Sequence, residues 1–435
     1  MPVRVGRVIC VPARSLSTNI AWQYLLQIAT YVFPFITLPY LTRVLGPDGY
    51  AVRAYAVSVM GLVTTVVDYG FNQWGTREVA LHRHDAAYIG RISSMICLLR
   101  FAMMGVGAAA VAAATPFIPL MAANPAYMMV AYVGACLSAM LPDFVFQGLE
   151  DMSILTVRYV GSKLVSVVLV FLLVHGPEDL VLVAVSEMAT SLVAFAWSWA
   201  DVVFARGIRL SLCGVRFRDL AACFKASTVF FFNSASTTIF TGLTTVMIGV
   251  FVTDAAQVSY WSLSMSAVAA VQSLYNPLAN SLYPHVVAHR DLAPVKRLLM
   301  IGLPIVSIGT FLFWQLANVV MLVLGGPGYV AGTEVVRRVA PVLLFSFPVI
   351  MLGFPVLAAV GRERWLTASS VISAAFHVTG LFILAAAGDF TIPAVAVLRS
   401  CTEFVLMAAR ILFVLRWRCS RADADSNRTK CGIRD

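Results

Sequence analysis

The chain has 435 residues, of which 60% are hydrophobic and only 12% are charged, and its mean hydropathy is +0.86. Ordinary soluble domains carry about 25% charged residues, so the composition excludes a soluble domain and indicates a polytopic membrane protein. The net charge of +10 is spread over short connections between apolar segments. This distribution follows the positive-inside rule and argues against a nucleic-acid-binding surface.

Long apolar segments recur along the whole chain. A membrane-spanning helix needs about 20 mostly apolar residues. By this measure the sequence predicts about twelve spans, near residues 17–41, 54–75, 93–114, 126–147, 153–174, 180–203, 227–251, 257–283, 299–324, 334–359, 365–387 and 391–415.

The connections between the spans alternate in charge. Lysine and arginine are concentrated in every second connection, which predicts a plasma (inner) membrane protein with both termini in the cytoplasm. The longest basic connection, "ARGIRLSLCGVRFRDLAACFKAS", divides the chain near its middle. We therefore predict an N-terminal six-helix half (1–205), a cytoplasmic basic linker (206–226), a C-terminal six-helix half (227–415) and a cytoplasmic tail (416–435). An even number of spans in each half makes the halves parallel repeats.

Each half opens with two spans that carry polar residues at helical spacing. Spacings of four, four and three residues place the polar residues of the first span on one helical face, and those of the seventh span have the same spacing. The second and eighth spans each carry a polar pair four residues apart. The four sets are Asn19, Gln23, Gln27 and Thr30; Asp68 and Asn72; Asn233, Thr237, Thr241 and Thr244; and Asn276 and Asn280.

Polar residues at membrane depth face either protein or a water-filled cavity. One such set fits interhelical hydrogen bonds, in which Asn, Gln and Thr hold helices together. Matched sets in both halves favour a different arrangement, in which spans 1, 2, 7 and 8 surround a central substrate cavity. The predicted fold is therefore an all-α polytopic membrane protein of two six-helix parallel repeats around that cavity.

Three stretches of the N-terminal half resemble a known family. These are "YLLQIATYVFPFITLPYLTRVLGPDGY", "DYGFNQWGTREVALHRHD" and "DFVFQGLEDMSILTVRYVGSKLVSVVLVFLLV". They are similar to the Wzx-type polysaccharide flippases, or O-antigen repeat-unit translocases, of the multidrug/oligosaccharidyl-lipid/polysaccharide exporter superfamily. The resemblance at the level of motifs covers about the first 175 residues, and beyond them only the number and spacing of the spans agree.

The resemblance implies a function in surface polysaccharide biosynthesis. It implies a V-shaped bundle that flips an undecaprenyl-pyrophosphate-linked oligosaccharide across the plasma membrane, by alternating access coupled to an ion gradient of H+ or Na+. The expected partners are the lipid-linked oligosaccharide, membrane lipids and a polysaccharide polymerase, without nucleic acid, cofactor or enzymatic activity. The alternatives are a drug or metabolite exporter of the same superfamily and an integral-membrane glycan polymerase, although the outer connections are too short for the catalytic surface of a polymerase.

Charged residues within the spans are the remaining candidates for function. Asp68, with Arg77 nine residues later, is a candidate for ion coupling or gating, because an ionisable group in a cavity can load a proton or a cation. The alternative is a helix-terminal carboxylate held by Arg77 or another basic neighbour.

Two cations are candidates for a wall that faces pyrophosphate. Arg100 has no opposite charge within a helical turn, so it either faces pyrophosphate or extends to the inner interface. Lys163 lies at a depth similar to that of Glu187, which favours a buried pair over contact with substrate. Arg399 and Glu403 are four residues apart and are predicted to pair. The spacing of the histidines and cysteines predicts no metal site.

Overall fold

A computed structural model describes residues 16–238, 242–252, 254–289 and 291–430. Side chains are described in these ranges except at 16, 17, 19, 20, 233, 236, 237, 284, 285, 287–289 and 418–430. The chain divides into two compact units, Met1–Ser259 (unit 1) and Tyr260–Asp435 (unit 2). The division into halves at residues 205 and 227 stays a prediction.

Unit 1 is built from α-helices joined by short connections. Short 3-10 turns lie at Thr115–Phe117 and Pro177–Asp179, and a π turn lies at Asp201–Ala205. The helices are α1 (Leu16–Asp68), α2 (Phe71–Leu81), α3 (Ala86–Ala114), α4 (Pro119–Ala122), α5 (Pro125–Ala139), α6 (Asp143–Gly148), α7 (Met152–Leu173), α8 (Leu180–Ala200), α9 (Phe217–Thr238) and α10 (Thr244–Phe251).

Helix α11 (Ala255–Ser273) crosses the boundary between the units, and the rest of unit 2 follows it. A 3-10 turn lies at Pro327–Gly332 and a π turn at Gly353–Ala358. The helices are α12 (Asn276–His289), α13 (Ala293–Gln315), α14 (Ala317–Gly325), α15 (Thr333–Val339), α16 (Pro341–Leu352), α17 (Glu363–Ala386) and α18 (Ile392–Lys430).

The predicted all-α membrane fold is confirmed. Each of the predicted spans is mostly helical where it is described, and the described residues contain no β-strand. Eight of the helical segments in the described part of the chain are long and apolar enough to cross a membrane. Several predicted spans are built from two shorter helices, as in α5 and α6, where Pro142 follows the end of the first helix. The six-plus-six repeat and the central cavity stay predictions.

The outward faces of the helices are apolar, as lipid requires. In α13 the exposed side chains of Ile301, Ile305, Ile308 and Leu312 recur at spacings of four, three and four residues. This spacing places them on one face of the helix. An exposed apolar stripe of this length is costly in water and favourable in the hydrocarbon core of a bilayer.

The predicted second span is wrong at its end. Helix α1 bends at Gly46, where φ is 65°, and then continues only to Asp68. Tyr69 and Gly70 have positive φ angles of 43° and 75°, which stop the helix. Asn72 therefore lies on a separate helix, α2, and the predicted continuous helical face of Asp68 and Asn72 does not exist.

Ion pairs gather the ends of several helices of unit 1. Arg206 pairs with Asp151 and Asp201, each at 2.7 Å, and Arg91 pairs with Asp219 at 2.7 Å. These residues lie in or next to connections that the charge alternation places on the same, cytoplasmic, side of the membrane. The backbone N–H of Arg216, and then the Arg91 guanidinium, hold the pKa of the Asp219 carboxyl below its usual range.

The cytoplasmic position of the basic connection is testable through its cysteine. Cys213 is exposed, whereas Cys223 is buried on α9. A membrane-impermeant thiol reagent should leave Cys213 unlabelled in intact cells and label it after permeabilisation, while a cysteine introduced at the exposed Asp254 should react in intact cells. Cys223 serves as an internal control, because burial keeps it unreactive in both conditions. Labelling of Cys213 in intact cells would reverse the orientation.

Candidate functional site

One of three neighbouring cavities in unit 1 has a volume of about 250 Å³. We call it the Asp68 cavity. One arginine, two carboxylates and one amide line it together with several hydroxyls, in a part of the chain that is otherwise strongly apolar. The lining residues are Thr64, Thr65, Asp68, Asn72, Arg100, Ser138, Ala139, Leu141, Asp143 and Ser234.

Asp68 and Arg100 form an ion pair in the wall of this cavity. Nη2 of Arg100 donates to Oδ1 of Asp68, and Nη1 donates to the carbonyl oxygen of Leu141 at 2.9 Å. The Arg100 side chain is only 2% exposed, whereas that of Asp68 is 22% exposed. A guanidinium buried this deeply needs a carboxylate, because its desolvation otherwise costs several kcal/mol. The basic neighbour that holds Asp68 is therefore Arg100.

The break between α1 and α2 positions Asp68 at the cavity. The ring of Tyr69 stacks between those of Phe224 and Phe231 on α9, with centroid distances of 4.2 and 4.5 Å. A Cβ atom on Gly70 would lie 2.7 Å from the carbonyl oxygen of Ser227, so only glycine fits against α9 here. The conformation and the close approach together fix the point at which α1 ends and Asp68 turns into the cavity.

A second ion pair holds Asp143, one of the residues that line the cavity. Arg158 on α7 donates to both carboxylate oxygens of Asp143 and to Oγ of Ser198. The Arg158 side chain is 7% exposed, and it is not among the residues that line the cavity. Because both oxygens of Asp143 are occupied by Arg158, the charge of this carboxylate is already balanced.

Two residues that line the cavity each carry a buried polar atom without a hydrogen-bond partner among the described residues. In the described part of the chain, the buried Oδ1 of Asn72 and Nε of Arg100 have no hydrogen-bond partner. Buried polar atoms are nearly always hydrogen-bonded, by protein or by water. Oδ1 of Asn72 can accept a hydrogen bond and Nε of Arg100 can donate one, so a rearrangement that exposes both atoms would offer polar contacts of both kinds.

The Asp68 cavity belongs to a row of three. Thr64 and Ser138 also line a second cavity of about 230 Å³, between α1, α5 and α8. Glu187, which lines the second cavity, also lines a third of about 80 Å³ between α1, α7 and α8. The shared lining residues place the three cavities side by side along the interior of unit 1.

The third cavity gathers two cations and one carboxylate. Nε and Nη2 of Arg53 both donate to Oε1 of Glu187, at 3.0 and 2.7 Å. Lys163 lines the same cavity, and its Nζ lies 5.9 Å from the centroid of the Tyr159 ring. The predicted Lys163–Glu187 pair is therefore corrected to an Arg53–Glu187 pair, because helical depth alone does not show which of three neighbouring helices supplies the partner. The role of Lys163 in a cationic wall stays a prediction.

The predicted polar stripes have different environments. On α1, Gln23 and Gln27 are exposed and Thr30 is half-buried, with Oγ1 of Thr30 donating to the carbonyl oxygen of Gln27 at 2.7 Å. On α12 in unit 2, Asn276 is half-buried and Asn280 is exposed. Thr241 and the side chains of Asn19, Asn233 and Thr237 lie outside the described residues. The roles of all these residues as cavity walls stay predictions.

Thr244 and Arg77 are both absent from the lining of the Asp68 cavity. Thr244 is fully buried on α10, and Arg77 is exposed on α2, away from the residues that line the Asp68 cavity. A gating role for Arg77 stays a prediction.

Hydrogen bonds from α1 and α2 to α9 border the cavity. Thr65 on α1 hydrogen-bonds Thr238 on α9 at 3.0 Å, and Nε2 of Gln73 on α2 donates to Oγ of Ser234 on α9 at 3.2 Å.

The predicted local pair in unit 2 is confirmed. Nη1 of Arg399 donates to Oε2 of Glu403 at 2.7 Å, within one helical turn of α18. A buried polar contact that the sequence did not predict joins α17 to α18, where Nδ1 of His377 lies 2.8 Å from Oγ1 of Thr402. No pattern in the sequence indicates it, since the two residues are 25 positions apart.

The chain is similar to known proteins over most of its length. The family model described as a polysaccharide biosynthesis protein matches residues 16–289. A candidate O-antigen transporter of Escherichia coli is 27% identical over 337 residues, which are 75% of this chain and 80% of that protein. Another from Shigella dysenteriae is 25% identical over 275 residues, 62% of this chain and 67% of that protein.

Solved structures share the fold. The lipid II flippase MurJ in an inward closed conformation matches with a TM-score of 0.71 and 10% identity, over 92% of this chain and 87% of that one. An inward-facing multidrug resistance MATE family transporter matches with a TM-score of 0.66 and 13% identity, over 96% and 97%. At such low identities the likeness concerns the fold alone.

Proposed function

The chain belongs to the polysaccharide biosynthesis protein family, and on this basis we propose that it flips a lipid-linked oligosaccharide across the plasma membrane. The carrier is undecaprenyl pyrophosphate, and the glycan moves from the inner to the outer face. Two relatives named as candidate O-antigen transporters support this substrate class. The fold shared with a lipid II flippase is compatible with a substrate of the same chemical kind, a glycan on a lipid pyrophosphate.

The observation that carries the proposal is the Asp68 cavity. A glycan and a pyrophosphate must pass a hydrocarbon layer about 30 Å thick that excludes polar groups, while the lipid tail stays in the bilayer. A cavity lined by Asn72, Arg100 and several hydroxyls inside an apolar helical unit offers the hydrogen bonds that such a headgroup loses on leaving water. The guanidinium of Arg100 offsets the charge of the phosphates.

Transport requires that one state of the protein be favoured by a ligand or an ion. We assign this role to Asp68, which sits at the end of α1 and shares its carboxylate between Arg100 and the cavity. Loading of H+ or Na+ on this carboxylate would change the charge of the cavity and so bias alternating access between inward-open and outward-open states. The predicted membrane is the plasma membrane, with both termini in the cytoplasm and a polysaccharide polymerase receiving the product.

Genetic replacement tests the proposed function. In a host from which the gene is deleted and which has no redundant flippase, the wild-type gene should restore surface polysaccharide. Without it, lipid-linked repeat units should accumulate on the inner leaflet. Sensitivity to cationic drugs should be the same in both strains, because the site is built for an anion. Normal export in the deletion strain, or drug sensitivity as its sole phenotype, would rule the function out.

A further inference from the structure

Arg100 is the one cation that lines the Asp68 cavity within the described residues, and Asp68 already occupies it. We propose that the Asp68 carboxylate competes with the phosphate of the substrate for Arg100. Binding then displaces Asp68, and the return of Asp68 to Arg100 expels the phosphate. This inference rests on the proposed function, and it names the device that makes binding of the headgroup reversible.

The hydrogen bonds of the guanidinium point to this exchange. Nε and Nη2 lie along one edge of an arginine, and Arg53 uses this edge to bind Glu187. In Arg100 the Nη2 of the same edge donates to Asp68, while Nε has no partner among the described residues. Nη1, on the other side, is held by the carbonyl oxygen of Leu141. Displacement of Asp68 therefore frees a complete two-donor edge, which matches two oxygens of a phosphate.

The charges of the cavity give the same result. Asp143 is balanced by Arg158, so the charge available to an anion depends on Asp68 and Arg100 alone. With Asp68 on Arg100 the wall is neutral, and an incoming phosphate gains no net attraction. Asp68 is the more exposed partner, so it is the one that can move away into the cavity. Arg100 stays fixed by Leu141 and by the ring of Phe144, 5.7 Å from its guanidinium carbon.

Substitution of Asp68 separates binding from transport. If the carboxylate is a competitor, Asp68→Asn should bind phosphate more tightly than the wild type and yet transport poorly, because release is lost. A residue that merely supports the fold would weaken binding and transport together. The gain in affinity should be roughly tenfold or more, because the hydrogen bond from Arg100 to a neutral amide oxygen is weaker than one to a carboxylate and is more easily displaced by phosphate.

The measurement is titration of the purified full-length protein in lipid nanodiscs with inorganic pyrophosphate. Asp68→Asn should bind at least about tenfold more tightly than the wild type, Asp68→Glu should bind as weakly as the wild type, and Arg100→Gln should abolish binding in either background. Glu187→Gln is the matched control, because it removes one carboxylate from another Arg–carboxylate pair of unit 1 and should leave the affinity unchanged. Asp68→Ser makes the same test if Asp68→Asn does not purify as a monodisperse protein.

Three results would overturn the inference: no gain in Asp68→Asn, a gain that persists in the double variant with Arg100→Gln, or an equal gain in Glu187→Gln. An isoprenyl pyrophosphate added to the nanodiscs should displace the inorganic probe, and failure to do so would exclude the lipid headgroup as the ligand. These outcomes are independent of genetic replacement. The proposed function fails if the wild-type gene does not restore polysaccharide, whatever the affinities of the variants.

Discussion

Asp68→Asn is expected to reach the membrane in near wild-type amount and to restore little surface polysaccharide in the deletion host. Asparagine keeps an oxygen that accepts the hydrogen bond of Arg100, so the buried guanidinium is not left without a partner. The negative charge, which we hold responsible for ion coupling and for release of the headgroup, is lost. Lipid-linked repeat units should therefore accumulate, and thin-layer analysis of extracted lipid measures their total amount.

The control for this substitution is the removal of the whole acceptor. Asp68→Ala leaves Arg100 buried and unpaired, which costs about 3–5 kcal/mol, so it should lower the amount of folded protein as well. Immunoblotting of membranes, with polysaccharide staining of the same cells, distinguishes the two effects. Full restoration of polysaccharide by Asp68→Asn would remove Asp68 from the mechanism.

Gly90→Ala is expected to lower the stability of the protein strongly, although the new side chain is a single methyl group. A Cβ atom at this position would lie 2.1 Å from the carbonyl oxygen of Arg209, which is backbone and does not yield. The segment is also held by the N–H of Ser211, which donates to Oγ of Ser94 at 2.8 Å, and by Nη2 of Arg91, which donates to the carbonyl oxygen of Gly214. Overpacking at a contact of this kind costs about 1–3 kcal/mol.

The same helix supplies a matched control. Gly105 also lies on α3, and a Cβ atom there would meet no atom within 4 Å. Gly105→Ala should therefore keep the wild-type melting temperature and the wild-type yield in fluorescence-detected size exclusion. Gly90→Ala should have a lower melting temperature and a lower yield. Equal behaviour of the two variants would show that the connection does not rest on α3 as described.

Hydropathy predicted the helices well because lipid imposes a single requirement on all of them. A span needs a fixed length of apolar residues, and this property is local to each segment. The pairing of Arg399 with Glu403 was equally predictable from the sequence, because side chains four residues apart on a helix lie next to each other. These parts of the structure depend on sequence distances that are fixed by the helix itself.

The Asp68 cavity depends on contacts between residues that are far apart in sequence, and helical geometry does not determine such contacts. Asp68 and Arg100 are 32 residues apart, and they meet because α1 ends at Tyr69 and Gly70 in backbone conformations with positive φ. The predicted common helical face of Asp68 and Asn72 is interrupted at this break, and the charge that balances Arg100 comes from another helix. The two lone opposite charges in adjacent spans were the available signal.

Depth was not a sufficient guide to pairing. Lys163 and Glu187 have similar depths on α7 and α8, yet Arg53 on α1 binds Glu187. Where three helices meet, the partner is decided by the reach and geometry of each side chain, and a guanidinium binds a carboxylate through two donors where an ammonium offers a point charge. This choice is visible only once the helices are packed.

The most direct test of the account is flipping by the purified protein in liposomes. An undecaprenyl-pyrophosphate oligosaccharide with a fluorescent label is placed in both leaflets, and a membrane-impermeant quencher reports the labels that reach the outer face. The wild type should expose the inner label faster than protein-free liposomes, and Arg100→Gln should be no faster than protein-free liposomes. Absence of flipping by the folded wild type, or wild-type flipping by Arg100→Gln, would contradict the claim that the Asp68 cavity carries the headgroup.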